Sequence, residues 1–588
     1  MHFQQAFLAL SLILVTLGCA QTPAARKVTP AVHPELQELA ERVSAPRMIR
    51  VSPRVHVAYA YDFANITFIE GDDGIIVIDA GWSTEAAASA IAAYADEVSD
   101  KPIVALLYSH GHADHVGGAA AFAEAAGTSP TGGSALKIYA EKTSTEYQLE
   151  RVSPSSTHFL IRALSQLGLL LPAGPAGRVA TGGGVLRRSS SSFRYLPATH
   201  AIDGETLLTI AGVRILAIPM PSETGDQLLF WLPDEKVAFA GDIAAGELPI
   251  LSTPRNERGR VPTGFIDGTE RLLSFPLEAL IAGHNLPTMG QEAALDALMH
   301  YRDASQFIFD QTMRALNANL SLEQAAQRVK LPPHLARHPL LQDHYHRLPW
   351  VVKGVYTRYG GWFQGDSATL APLSTREEAT RMIALAGGAT ALLRSANEAF
   401  ASEDYAWTAQ LAGYLLAAGE QRAAAAALKT DALRAMAYAS NSGNQRNYML
   451  THAAALSGKL DATRTRRAPK PPELMRLLST RELFRLVGPN LNPATCLDVE
   501  MTVGFQFTDL GEEHRYTIRR GVGHYRGTKG PAADVRVALS RETLEALLGN
   551  RLSWPIARRE GRVRVIDGSE RLDQFLSFFD GWSDPPAS

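Results

Sequence analysis

The chain has 588 residues, a formal net charge of −3, 46% hydrophobic residues and 20% charged residues. That length exceeds what one hydrophobic core organises and accommodates about three domains. The composition is that of a folded globular protein, and it carries no basic excess of the kind that marks nucleic-acid binding.

The N-terminus opens with an apolar run, "FLALSLILVTLGCA" (7–20), of signal-peptide length and too short for a membrane span. Residues 1–22 are therefore expected to direct export. Cys19, following Gly18, resembles a lipobox cysteine, which would anchor the mature chain to a membrane through lipid. The expected location is periplasmic or lipid-anchored in the cell envelope. The only other cysteine is Cys496, so once Cys19 is removed or lipidated no internal disulfide can form. A metal site in such a chain must be built from histidines and carboxylates.

From about 30 to 330, short β-branched runs ("ITFIEG", "GIIVIDA", "IVALLYS", "VRILAIPM", "KVAFAGD") alternate with Ala-rich stretches of helical period, predicting an α/β domain. Residues 173–192, rich in Gly, Ser and Pro, read as a long loop. From about 365 to 465 the sequence reads almost wholly helical, with apolar residues at i, i+3, i+4 spacing. A basic, proline-rich linker, "TRTRRAPKPPE" (463–473), leads to a tail, 474–588. There "CLDVEMTVGFQFTDL", "HRYTIRRGVGHYRG" and "ADVRVALS" predict antiparallel strands, followed by a helix at "RETLEALLGN".

One stretch stands apart. In "YSHGHADHVGG" (108–118), His110, His112, Asp114 and His115 crowd into six positions at the exit of an apolar strand. A continuing strand would point His115 away from His110 and His112. A loop, with Gly111, Gly117 and Gly118 permitting tight backbone, turns all four inward. Imidazoles and a carboxylate are suitable zinc ligands.

This motif resembles the His-x-His-x-Asp-His signature of the metallo-β-lactamase superfamily, and the run from Asn65 to Asp79 resembles that superfamily's opening strands, with Asp79 beside the metals. Downstream, "PMPSETGDQ" places Glu223 where most members have a metal histidine, a substitution typical of the alkyl sulfatases. The resemblance extends through "LFWLPDEKVAFAGD", ending at Asp242, through "IAGHNLPTMG" with His284, and through "VYTRYGGWFQGDSATLAPL" (355–373). It implies an αββα sandwich at 30–330, an all-α dimerisation domain at 331–465 and a small α+β sterol-carrier-like domain at 474–588.

It further implies two zinc ions: one held by His110, His112 and Glu223, the other by Asp114, His115 and His284, with Asp242 bridging or leaning to the second. Asp114 is expected at the centre of the chemistry. Arg255, in "STPRNERGR", is expected to grip sulfate, its planar fork matching two oxygens, whereas Arg258 and Arg260 read as an exposed charged loop. Trp362 and Phe363 are expected in a core. The implied reaction is hydrolysis of an alkyl sulfate to alcohol and inorganic sulfate by metal-activated water, in a homodimer.

Two departures keep an alternative open. The family usually has Glu where Asp242 stands, and its second acidic residue near Glu223 is replaced by the Thr224-Gly225-Asp226 turn. The alternative is another superfamily hydrolase, acting on a lactone, thioester, phosphoester or β-lactam. A third reading is a lipid-binding or scaffolding lipoprotein with an idle hydrolase site.

Overall fold

The computed structural model describes residues 28–582, except 128–135, 185–191, 245–246, 256–258 and 461–467. The proposed export segment, Cys19 and Arg258 lie outside the described residues.

Two sheets form the first lobe. One runs in chain order: β1 (Arg47–Arg50), β2 (Val55–Tyr59), β3 (Ile66–Glu70), β4 (Ile75–Ile78), β5 (Ile103–Leu107), β6 (Lys137–Glu141) and β7 (His200–Ile202). Its first four strands are antiparallel, and β4 to β7 are parallel. The second comprises β8 (Thr206–Ile210), β9 (Val213–Pro219), β10 (Leu228–Leu232), β11 (Val237–Phe239), β12 (Ala279–Ile281) and β13 (Thr288–Met289).

Residue alternation explains why the sheets stack. On β10, Leu228, Phe230 and Leu232 join Val57, Ile76, Ile78 and Leu107 in the core between the sheets. Leu229 and Trp231 point the other way, onto the helices Pro262–Leu273 and Gln291–Asn317. On the far face of the first sheet, Phe68, Val77 and Leu106 pack against Ala87, Ala90 and Tyr94 of the helix Thr84–Glu97. Each fully buried Leu or Phe contributes about 1.5–3 kcal/mol of transfer free energy. The result is helix, sheet, sheet, helix, the predicted αββα sandwich, and the five β-rich runs in the sequence all lie on its strands. Residues 331–356 pack into the same lobe: Leu335, Leu341, Val351, Val352 and Val355 share a core with Leu229 and Trp231.

The helices Thr375–Leu385, Ala389–Ala401, Tyr405–Ala418, Arg422–Tyr438 and Gly443–Leu456 form the all-α unit. Small residues let them approach closely, with Ala396, Ala412 and Ala425 fully buried between Leu392, Leu411 and Leu415. Ser374 and Glu377 close a capping box on the first of these helices. The last docks on the sandwich. The fully buried guanidinium of Arg446 donates to the carbonyls of Gly177, Ala31 and Pro175, and Asn447 donates to Gln166 O at 3.2 Å. Trp362 is not in a core: it is 72% exposed, and its neighbour Phe363 is 38% exposed.

The C-terminal sheet has the order β16 (Val522–Gly527), β15 (Glu512–Arg519), β14 (Glu500–Phe507), β17 (Val535–Leu539), β18 (Val563–Asp567). It is not wholly antiparallel: β17 runs parallel to β14. The link before β17 returns to the start of β14, where Asp534 N donates to Thr502 O (2.8 Å) and Thr502 N to the Asp534 carboxylate (2.9 Å). That fixes the direction in which β17 leaves. The aromatic rings of Phe484, Phe505, Tyr516, Phe575 and Phe579 fill the interior. Among the described residues, no helix is long and apolar enough to cross a membrane.

Candidate metal centre

The site sits where strands of both sheets end. β4 and β5 are parallel neighbours with Ile78 opposite Leu107, so the next residues, Asp79 and the His110–His115 turn, emerge together. β11 and β12 are parallel neighbours with Phe239 opposite Ile281, so Asp242 and His284, three residues past each strand end, also emerge together. Glu223 follows β9. Open α/β sheets place ligands at such carboxyl ends of strands.

Hydrogen bonds aim the imidazoles. Asp79, fully buried with φ +63°, accepts from Ser109 N, Ser109 Oγ and His115 Nδ1, each at 2.7 Å. His115 therefore donates through Nδ1 and turns Nε2 inward. Ser109 Oγ, having given its proton to Asp79, accepts from His110 Nδ1 at 3.0 Å and leaves His110 Nε2 bare. His284 Nδ1 donates to Phe63 O at 2.9 Å. These partners set the tautomer a metal ligand needs.

Two groups of ligand atoms result: His110, His112 and Asp242 in one, Asp114, His115 and His284 in the other, each within 4.8 Å. His110 Nε2 and His112 Nδ1 lie 2.9 Å apart. Asp242 joins the groups, with Oδ2 3.8 Å from His110 Nε2 and 3.2 Å from His284 Nε2, and Oδ1 3.6 Å from His115 Nε2. Asp114 Oδ2 is 3.4 Å from His284 Nε2 and 3.5 Å from His115 Nε2. His115 Nε2 and Asp242 Oδ1 are buried and have no hydrogen-bond partner, although both face the same space. Orphaned acceptors of this kind fit divalent cations, and an all N/O donor set suits zinc. Burial holds the His110 imidazole well below its usual range. Burial alone would raise the Asp114 and Asp242 carboxyls, but His115 and His284 overcome it and keep both ionised.

Glu223 makes two kinds of contact. It stands beside the first group, Oε1 3.5 Å from His112 Nδ1, but Asp242 closes that group. Both Glu223 oxygens accept from the guanidinium of Arg260, one through Nη2 at 2.5 Å. Arg260 is only 2% exposed, which corrects the expectation of an exposed loop residue; it also donates to Ile250 O. Arg255 lies close by, its Nη2 3.9 Å from Glu223 Oε1.

The metal groups open into a cavity of about 370 Å³. His112, Asp114, Glu223, Asp242, His284 and Arg255 line one part, while Phe159, Leu160, Ala163, Leu164, Leu167 and Ile250 give it an apolar wall. Sequence reasoning missed Asp62, which also lines it. Burial pushes the Asp62 carboxyl up to about 6, against the backbone N–H groups of Phe63, Trp82 and Ser83 that it accepts. Nothing in "AYDFAN" distinguishes it from a turn aspartate.

The metallo-β-lactamase superfamily profile matches residues 60–304, that for alkyl sulfatase dimerisation 321–459, and that for the alkyl sulfatase C-terminal domain 468–584. A linear primary-alkylsulfatase from Pseudomonas sp. is 30% identical over 87% of this chain and 98% of its own length. An (R)-specific secondary-alkylsulfatase from Pseudomonas sp. is 28% identical over 96% of this chain and 86% of its own. The solved structure of the stereoselective inverting sec-alkylsulfatase Pisa1 from Pseudomonas sp. superposes with a TM-score of 0.79 at 27% identity, covering 95% of this chain and 88% of the other. Matched along nearly its whole length, and with its histidine and aspartate ligand groups in place, the chain belongs to the alkyl sulfatase family of sulfuric ester hydrolases.

Proposed function

We propose that the protein hydrolyses medium-chain alkyl sulfates to alcohol and inorganic sulfate, using two zinc ions held by His110, His112 and Asp242 and by Asp114, His115 and His284, with Glu223 at the edge of the first group. The observation that carries this is the cavity, which joins a cation-binding end, fit for an anionic ester, to an apolar wall fit for its chain. Zinc held there would lower the pKa of water enough to supply a nucleophile near neutral pH. Arg255 grips the sulfate oxygens and offsets charge as the ester bond breaks. Asp114, which lines the cavity beside the second ligand group, would orient the reacting water. The wall of the helix Ser156–Gln166 holds the alkyl chain out of water.

The test is sulfate release from octyl and dodecyl sulfate. We expect release that a chelator stops and zinc restores, with little turnover of lactones, thioesters, phosphoesters or β-lactams. His112→Ala should lower kcat/KM more than about 100-fold and reduce bound zinc from about two to about one per chain, since even supporting residues of such sites cost 10–100-fold. Zinc-loaded protein that frees no sulfate at any chain length would refute the assignment. The apolar run at 7–20 supports export, and lipid attachment at Cys19 rests on the same stretch. Fractionation of cells, with Cys19→Ala as the comparison, tests both.

A further inference from the structure

The cavity wall includes a segment from outside the sandwich: Ala468, Pro469, Lys470 and Pro471, at the start of the C-terminal domain. That domain holds the segment in place. Lys470 N donates to Gly549 O at 2.8 Å. The helix that follows, Pro472–Leu477, sinks Leu474 and Met475 into a core shared with Val152 and Tyr195 of the sandwich. Two prolines restrict the backbone on either side of the lysine.

The side chain of Lys470 enters the cavity and donates to Ser156 Oγ at 2.5 Å. Ser156 begins the helix Ser156–Gln166, whose apolar face forms the cavity wall. No carboxylate pairs with this ammonium among the described residues. Burial pushes the ammonium down to about 8, so it remains mostly charged near neutral pH. Its position is unfavourable for a strut, because a helix N-terminus carries partial positive charge and repels a cation. A partly buried ammonium whose partner is a hydroxyl gains from an anion that reaches it.

The geometry points to Lys470 as a substrate-binding residue: its ammonium forms part of the anion-binding wall for the sulfate head, so the C-terminal domain completes the active-site cavity. This rests on the alkyl sulfatase reading above and adds a contact at that site. It makes 468–471 a specificity element contributed across a domain boundary, held ready before substrate arrives.

Two measurements test it together. The first is steady-state kinetics on octyl sulfate for wild type, Lys470→Gln and Lys470→Arg. KM should rise about tenfold in Lys470→Gln, with kcat within about twofold, and Lys470→Arg should recover most of the loss, as for one charge-assisted hydrogen bond. The second is calorimetric binding of 1-octanesulfonate, whose C–S bond does not hydrolyse, and of neutral 1-octanol. Lys470→Gln should weaken the sulfonate about tenfold and leave the alcohol unchanged. Equal loss for both ligands would reduce Lys470 to a structural support and overturn the inference, as would unchanged sulfonate binding. Because the binding arm needs no turnover, either result stands apart from whether wild type releases sulfate.

Discussion

Arg260 and Glu223 show how one side chain alters the role of another. The guanidinium donates to both Glu223 oxygens inside the protein, so the carboxylate that the family resemblance placed on a metal also carries a buried ion pair. Replacing Arg260 with Met removes both of those hydrogen bonds from a buried carboxylate and leaves only more distant partners such as Arg255, which costs up to about 3–5 kcal/mol. A urea titration of Arg260→Met should show the midpoint falling accordingly, and Glu223→Gln with Arg260→Met should recover part of it. A second pair lies behind the centre. Burial pushes Glu247 up to about 7, and Glu247 in turn raises its neighbour His344, whose Nδ1 is 3.6 Å away. Both groups hold protons in the folded state that the unfolded chain has released: Glu247 between 4.5 and about 7, His344 above 6.5. Their contribution is present below those unfolded values and is lost as pH rises through the folded ones. The melting temperature of wild type should therefore fall more between pH 5 and pH 8 than that of Glu247→Gln, as followed by calorimetry across that range.

At the scale of elements, the metal turn depends on backbone passing very close to backbone. A Cβ at Gly118 would run into the Ala80 carbonyl, and one at Gly117 into that of Trp82. Gly118 N also donates to Gly81 O at 3.1 Å, tying the turn to the exit of β4. Gly118→Ala should cost about 1–3 kcal/mol, as overpacking does, and weaken metal binding by displacing Asp114 and His115; thermal unfolding with and without added divalent metal reads both effects. The turn and its strand were legible in sequence because their residues are contiguous: an apolar run, then four ligand-capable side chains, then two glycines. Glu223, Asp242 and His284 were legible only through resemblance, since a lone Asp or His after a strand carries no signal of its own. The direction of β17 was not legible, because it hangs on Asp534 meeting Thr502, a contact that strand propensity does not encode.

The sandwich and the C-terminal domain share a core, the helical unit has its own, and among the described residues that unit leaves large apolar side chains uncovered. Trp362, Leu370 and Leu385, in and beside the matched dimerisation region, are 72%, 59% and 82% exposed. A second copy of the chain would cover them. Light scattering should give a dimer for wild type, and Trp362→Glu combined with Leu385→Glu should shift it toward monomer. The sequence by itself determined the secondary structure, the order of the three units and the histidine-rich turn, because each is written in contiguous residues and in the periodicity of apolar side chains. Only the tertiary structure decided that Asp242 joins both ligand groups, that Arg260 is buried against Glu223, and that Lys470 reaches the cavity 314 positions from Ser156. Those outcomes depend on which strand ends and loops the packed sheets bring within a few ångströms, and distance along the chain says nothing about that.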